Sequence, residues 1–117
     1  PLIRIEEIVL NYAEALFEIN NADPVALTQL NLITSNRGAT AYTSPLSKDD
    51  ILNERRKELM FEGFRFDDLT RTGTDIDVLG SNQNFIRTLS YPNNLFAYPI
   101  PNDETNANSN MVQNNGY

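Results

Sequence analysis

The stretch Arg4–Gly38, RIEEIVLNYAEALFEINNADPVALTQLNLITSNRG, decides the fold class. Its first half places Ile5, Ile8, Val9, Tyr12, Ala13 and Leu16 at the i, i+3, i+4, i+7 spacing of one helix face. Arg4, Glu7, Asn11, Glu14 and Glu18 fill the opposite arc. Asn20 and Asn21 stop that pattern, and a second start follows at once. Asp23 suits an N-cap, and Pro24 suits the first helical position, where no N–H is needed. Ala26, Leu27, Leu30 and Ile33 form the second apolar stripe. Gly38 fits the left-handed position past the helix end, and the helix dipole favours Arg37 in the last turn. The spacing predicts helices over about 2–20 and 24–37, joined tightly enough to make an antiparallel hairpin.

Working outward, the loop Ala39–Leu46 carries Thr40, Tyr42, Ser44 and Pro45 before a third start. Ser47-Lys48-Asp49-Asp50 approximates a capping box with Asp in place of Glu, and Leu46 and Ile51 occupy the hydrophobic-staple positions. A third helix over about 48–62 follows, and its apolar face holds Ile51, Leu52 and Leu59, continued by Phe66 and Leu69. Arg55 and Glu62 project onto the middle of that face. Inward charges persist only when paired and hydrogen-bonded, so Arg55 is expected to meet Glu58, Glu62 or Glu14 in a structural ion-pair network. Gly63 should interrupt the helix before a fourth one over about 64–72.

Beyond Gly73 the periodicity disappears, and residues 73–117 read as a long irregular tail rich in Asn, Ser, Asp and Pro. Leu95–Ile100 is expected to be a short extended piece, since Pro99 and Pro101 prevent ordinary ladder pairing. A tail of this length should wrap over the helices or pack against further chain. The hairpin followed by Ser47–Arg71 suggests stacked helix pairs, as in α-solenoids.

Composition narrows the chemistry. At 117 residues the chain fits one domain. Nine Lys and Arg stand against sixteen Asp and Glu, a net charge of -7, which argues against nucleic acid and anionic membrane surfaces. The chain has no Cys and no His, which removes thiolate metal sites, disulfides, thiol nucleophiles and the usual general base. With no Trp, it also lacks the strongest sugar-stacking side chain. No apolar run approaches the roughly 20 residues of a membrane helix, and no signal peptide or lipidation motif is present. A chain that opens on Pro1 reads as a fragment or a processed product.

Three residue groups are candidates for function. Glu58 and Glu62, one helical turn apart, have the spacing of a glycosidase carboxylate pair. Arg55, Arg56 and Lys57 beside them would depress both pKa values, so a structural role outweighs catalysis. Asp49–Asp50, Asp67–Asp68 and Asp75–Asp77 offer carboxylates, but none follows a calcium-loop spacing, and Asp49 and Asp50 are explained by the helix start. Tyr42 and Tyr91 lie in loops, where an aromatic face with a hydroxyl suits a sugar ring, and they are the ligand-binding candidates. Tyr98, beside Pro99, reads as packing, and the Asn-rich tail reads as turn chemistry.

Four blocks in order resemble the C-terminal part of the SusD/RagB family. They are Arg4-Ile5-Glu6-Glu7 with Tyr12-Ala13-Glu14-Ala15; Ala26, Leu30-Asn31, Ile33 and Arg37-Gly38; Glu54-Arg55-Arg56-Lys57-Glu58-Leu59 through Phe61-Glu62-Gly63-Phe64-Arg65 to Asp68-Leu69 and Arg71; and Tyr98-Pro99-Ile100-Pro101 with Glu104, Asn108, Gln113-Asn114 and Gly116-Tyr117. The third block is the most specific. Thr34 and Asn115 depart from the pattern, where Ile-Arg before the Arg-Gly pair and Pro are usual. The resemblance implies an all-α, tetratricopeptide-like fold and a chain that is the C-terminal helical part of a larger protein. It also implies a cell-surface outer-membrane lipoprotein whose lipid anchor belongs to an absent N-terminal part. Such a protein captures oligosaccharides, or peptides in RagB-type members, without catalysis or cofactor, for a SusC-like TonB-dependent transporter. Ligand contacts in the family lie mostly outside these blocks, so this piece reads mainly as scaffold. A generic helical-repeat module that docks another protein is the alternative.

Overall fold

Asp23, Ser47 and Asp50 start their helices as their positions dictate. The Oδ1 of Asp23 accepts from the Val25 N–H at 2.8 Å, with Pro24 next in line. Ser47 and Asp50 complete a reciprocal capping box: the Asp50 N–H donates to Ser47 Oγ at 3.1 Å, and the Ser47 N–H to Asp50 Oδ2 at 2.9 Å. The computed structural model describes residues 3–77 and 88–117. Among them run α1 (Ile5–Ile19), α2 (Pro24–Asn36), α3 (Lys48–Glu58), α4 (Phe64–Arg71), a 3-10 turn (Asn94–Phe96) and α5 (Asn102–Ala107). The observed class is all-α, as expected. Among the described residues the β-type pairing is the isolated antiparallel bridge Ile76–Leu89. The expected helix start at Leu2 lies outside the described residues.

The chain forms two compact units, Pro1–Arg65 and Phe66–Tyr117. In the first, α1 packs along α2, and α3 closes against α1. Leu10, Leu30, Ile33, Ile51 and Leu59 make the core, with Val9, Phe17, Tyr42, Leu46 and Phe64 packed against it. The staple pair Leu46 and Ile51 thus enters the core from both sides of the third start. Each fully buried Leu or Ile contributes about 1.5–3 kcal/mol.

Two expectations need correction. The buried seam of α1 is Leu10, Ala13 and Glu14, whereas Ile5 (70% exposed), Ile8 and Tyr12 face outward. Apolar residues occupy more than half of the circumference of α1, so periodicity alone does not choose the seam. Docking of α2 and α3 does. The third helix also ends at Glu58 rather than near residue 62. Phe61 takes the left-handed conformation at φ 66° and Gly63 does so at φ 88°, which turns the chain out of the helix. Glu62 is therefore exposed rather than inward, while Leu59 remains buried.

The second unit is held by polar side chains on main chain. Asp68 and Leu69 are its buried members of α4, and Arg71 donates to Asp68 Oδ1 at 2.9 Å through Nε. Asp75 accepts from the Tyr91 N–H at 2.8 Å and Asp77 from the Thr88 hydroxyl at 3.0 Å, one on each side of the Ile76–Leu89 bridge. Leu95 and Phe96, at the start of the stretch expected to be extended, belong to the 3-10 turn, capped by Asn93 Oδ1 on the Leu95 N–H, and the backbone turns extended at Ala97. α5 was not expected. Its six residues, NDETNA, have no apolar stripe to read, and only Asp103 and Glu104 in the first turn favour it.

The rotated seam of α1 predicts opposite outcomes for two truncations. In the 117-residue chain, Leu10→Ala should lower unfolding free energy by about 3–4 kcal/mol, because a fully buried side chain leaves a cavity. Ile5→Ala should change it by less than about 0.5 kcal/mol. Equal effects in urea denaturation would contradict this packing.

Candidate functional site

The densest polar constellation lies where the three helices of the first unit share an end. Glu58, the last residue of α3, has a side chain only 6% exposed. Its Oε1 accepts from Arg4 at 2.5 Å and from Arg37 Nη2 at 2.6 Å, and its Oε2 accepts from Arg37 Nε at 2.9 Å. Arg4 is the N-cap residue of α1, and Arg37 is the C-cap residue of α2. Both arginines also reach Glu6, at 3.3 and 3.1 Å, and Arg4 pairs with Glu62. The Arg37 hydrogen bonds hold the Glu58 carboxyl below the usual carboxylate range against the opposing effect of burial, and the charge of Arg4 adds to the shift. A general acid needs the reverse shift, so Glu58 is built to stay ionised.

Arg55 is buried at 5% exposure. It donates to Asn11 Oδ1 at 2.6 Å, and its guanidinium lies 5.4 Å from the centre of the Phe64 ring. Glu14, one turn along α1 from Asn11, is buried as well. Of the residues read as one network, Glu58 and Glu62 meet at Arg4, while Arg55 and Glu14 lie inside the helix packing. The arginines on Glu58 were not anticipated as its partners. Arg4 carried a signal: a cation at a helix N-cap opposes the dipole, so a carboxylate elsewhere must hold it.

Tyr42 is fixed within the same unit. The side-chain amide of Asn31 clamps its main chain, accepting from the Tyr42 N–H at 2.8 Å and donating to the Tyr42 carbonyl at 3.0 Å. Its hydroxyl donates to the buried Glu54 at 3.0 Å and accepts from Lys57 at 3.2 Å. Lys57 also lies 5.4 Å over the ring and pairs with Glu54. Burial raises the pKa of the phenol, and the Glu54 bond raises that of Lys57. Both the ring and the hydroxyl are engaged, so Tyr42 presents no open platform. Glu54 is a buried carboxylate that helical projection did not single out. In the second unit, Tyr91 is open to solvent. Tyr98 is exposed as well, with its ring packed 6.3 Å from that of Phe66.

These features are three packed helices whose ends are joined by ion pairs, followed by a largely irregular second unit. The model of the SusD family matches residues 1–117, and the chain belongs to that family. It is 32% identical to the starch-binding protein SusD of Bacteroides thetaiotaomicron over 123 residues, covering all of this chain and 21% of that protein. A putative sugar binding protein from Bacteroides vulgatus shares 35% identity and superposes with a TM-score of 0.79, over 100% of this chain and 28% of that one. A SusD superfamily protein from Parabacteroides distasonis has the same fold at 22% identity, with a TM-score of 0.75 over 96% of this chain and 26% of its own. The chain therefore spans about a fifth of the length of the curated relative and about a quarter of the solved ones.

Two predictions follow from the buried charges. At pH 7, Glu58→Gln should lower stability by about 2 kcal/mol, the scale of charged hydrogen bonds. Because the folded pKa of Glu58 is depressed, that contribution is present above its unfolded value of about 4.3 and is lost as pH falls through the folded value. The gap between wild type and variant in urea titrations should therefore narrow as pH falls below about 4.3. Arg55→Met should cost about 3–5 kcal/mol, since it strands polar groups inside the packing. An unchanged melting temperature would show that Arg55 is dispensable.

Proposed function

We propose that this chain is the C-terminal scaffold of a non-catalytic, cell-surface glycan-binding protein that serves an outer-membrane uptake system. The observation that carries this reading is the family match along the entire chain, together with relatives named for binding starch and sugar. The depressed Glu58 carboxyl, held by two arginines, agrees with a passive role. In this reading the complete protein is lipid-anchored at the outer membrane through a preceding segment. It delivers oligosaccharide to a SusC-like TonB-dependent transporter, and residues 1–117 form one C-terminal domain within it. The Arg4–Arg37–Glu58 contacts and the buried Arg55 and Glu14 are its architectural charges.

The test is binding by the complete protein to a panel of neutral polysaccharides in affinity electrophoresis, with product analysis for hydrolysis. Binding without turnover and co-purification of a large outer-membrane barrel are expected. Turnover abolished by Glu58→Gln would defeat the passive role. Selective binding of a peptide library would move the protein to the peptide-capturing branch of the family.

A further inference from the structure

Asn115-Gly116 is the one place in the sequence where glycine follows asparagine. The pair occupies the two central positions of a turn. The Tyr117 N–H donates across it to the Asn114 carbonyl at 3.4 Å. Gly116 takes φ 105° and Asn115 lies outside the positive range, the combination of a type II turn. Proline suits the second position of such a turn, and proline is usual in the SusD/RagB pattern where this chain has Asn115. The exchange keeps the turn and adds a carboxamide to it.

That carboxamide is unengaged. Asn115 and Gly116 are both exposed, and among the described residues neither the Asn115 side chain nor the Gly116 N–H has a hydrogen-bond partner. Other asparagines differ on one count or the other. The side chains of Asn20, Asn93, Asn108 and Asn114 are held in hydrogen bonds. The N–H that follows Asn36 or Asn110 is bonded to a carbonyl, and the residue bearing it has a Cβ. Glycine has none, so nothing crowds an approach through its nitrogen. The Gly116 nitrogen and the Asn115 carbonyl carbon, Cα, Cβ and Cγ are the five atoms of a ring that a single new bond would close.

We propose that Asn115 is a site of self-modification, converting through a cyclic imide to aspartate and isoaspartate, and that the contacts of Tyr117 set its rate. The Gly116 nitrogen forms a bond to Asn115 Cγ, the Cγ–Nδ2 bond breaks, and Nδ2 leaves as ammonia with the Gly116 proton. Water then opens the ring at either carbonyl. One water is consumed and one ammonia released, with no change of oxidation state. A type II turn holds the Gly116 nitrogen away from the Asn115 side chain, so the peptide must rotate before attack. The structure resists that rotation. The Tyr117 hydroxyl donates to the Ala97 carbonyl at 2.9 Å, and a Cβ on Gly116 would stand 3.4 Å from Asn94 Cβ and 3.5 Å from Leu95 Cδ2, so the turn is seated on the 3-10 turn. Isoaspartate adds one carbon to the main chain between Asn114 and Gly116, which draws Tyr117 off that seat. The site does not depend on the glycan-binding reading.

The experiment incubates the complete protein, folded and urea-unfolded, at neutral and mildly alkaline pH. Peptide mass spectrometry with enzymatic isoaspartate labelling follows each asparagine. In the folded protein Asn115 should convert ahead of every other asparagine, and faster at the higher pH, because the attacking nitrogen must lose its proton. Asn115→Pro should fold as wild type does and yield no product there. Tyr117→Phe, which removes one hydrogen bond from the turn, should speed conversion about fivefold in the folded protein and leave the unfolded rate unchanged. Asn115 that stays intact in the folded protein while it converts in the unfolded chain would overturn the proposal. So would conversion no faster than at Asn108, which precedes Ser109. Equal folded-state rates for wild type and Tyr117→Phe would overturn the control by Tyr117.

Discussion

One carboxylate, Glu58, joins the three helix ends of the first unit. It sits at the C-terminus of α3 and binds the arginines that flank the start of α1 and the end of α2. A carboxylate at a helix C-terminus and an arginine at a helix N-cap both oppose the local dipole. Only the tertiary pairing makes those positions favourable, so the charges specify which helix ends meet. The hydrophobic core supplies most of the driving force but little of that selectivity, because apolar contact is non-directional.

The second unit reaches order by a different route. Its tail lacks paired strands among the described residues, so side chains satisfy the backbone. Gln113, Asn114, Asn93, Asp75 and Tyr117 each occupy a main-chain group that a ladder or helix would otherwise fill. The polar composition that read as an irregular tail is what lets it fold without long helix, and without paired strands among the described residues. The same contacts leave Tyr91 and Tyr98 exposed.

The tyrosines show how context assigns a role to one residue type. Tyr42 and Tyr91 looked equivalent as aromatic hydroxyls in loops. Asn31, Glu54 and Lys57 consume the polar groups and one face of Tyr42, while Tyr91 is held only at its backbone and along part of its ring. The chain belongs to the SusD family.

Local rules settled the helix starts, because Asp23, Pro24, Ser47 and Asp50 act within three residues of themselves. The periodicity of Arg4–Gly38 likewise settled the all-α class and the hairpin, and the motif blocks settled the family. It took the tertiary structure to choose Leu10, Ala13 and Glu14 over Ile5, Ile8 and Tyr12 as the seam of α1, since several faces of that helix are apolar enough to bury. The early stop of α3 at a left-handed Phe61 was hidden because no side-chain preference points a phenylalanine there. The partners of Glu58 lie 21 and 54 residues away in the chain. Pairing over such distances depends on which surfaces dock, and a one-dimensional pattern of charges does not encode that.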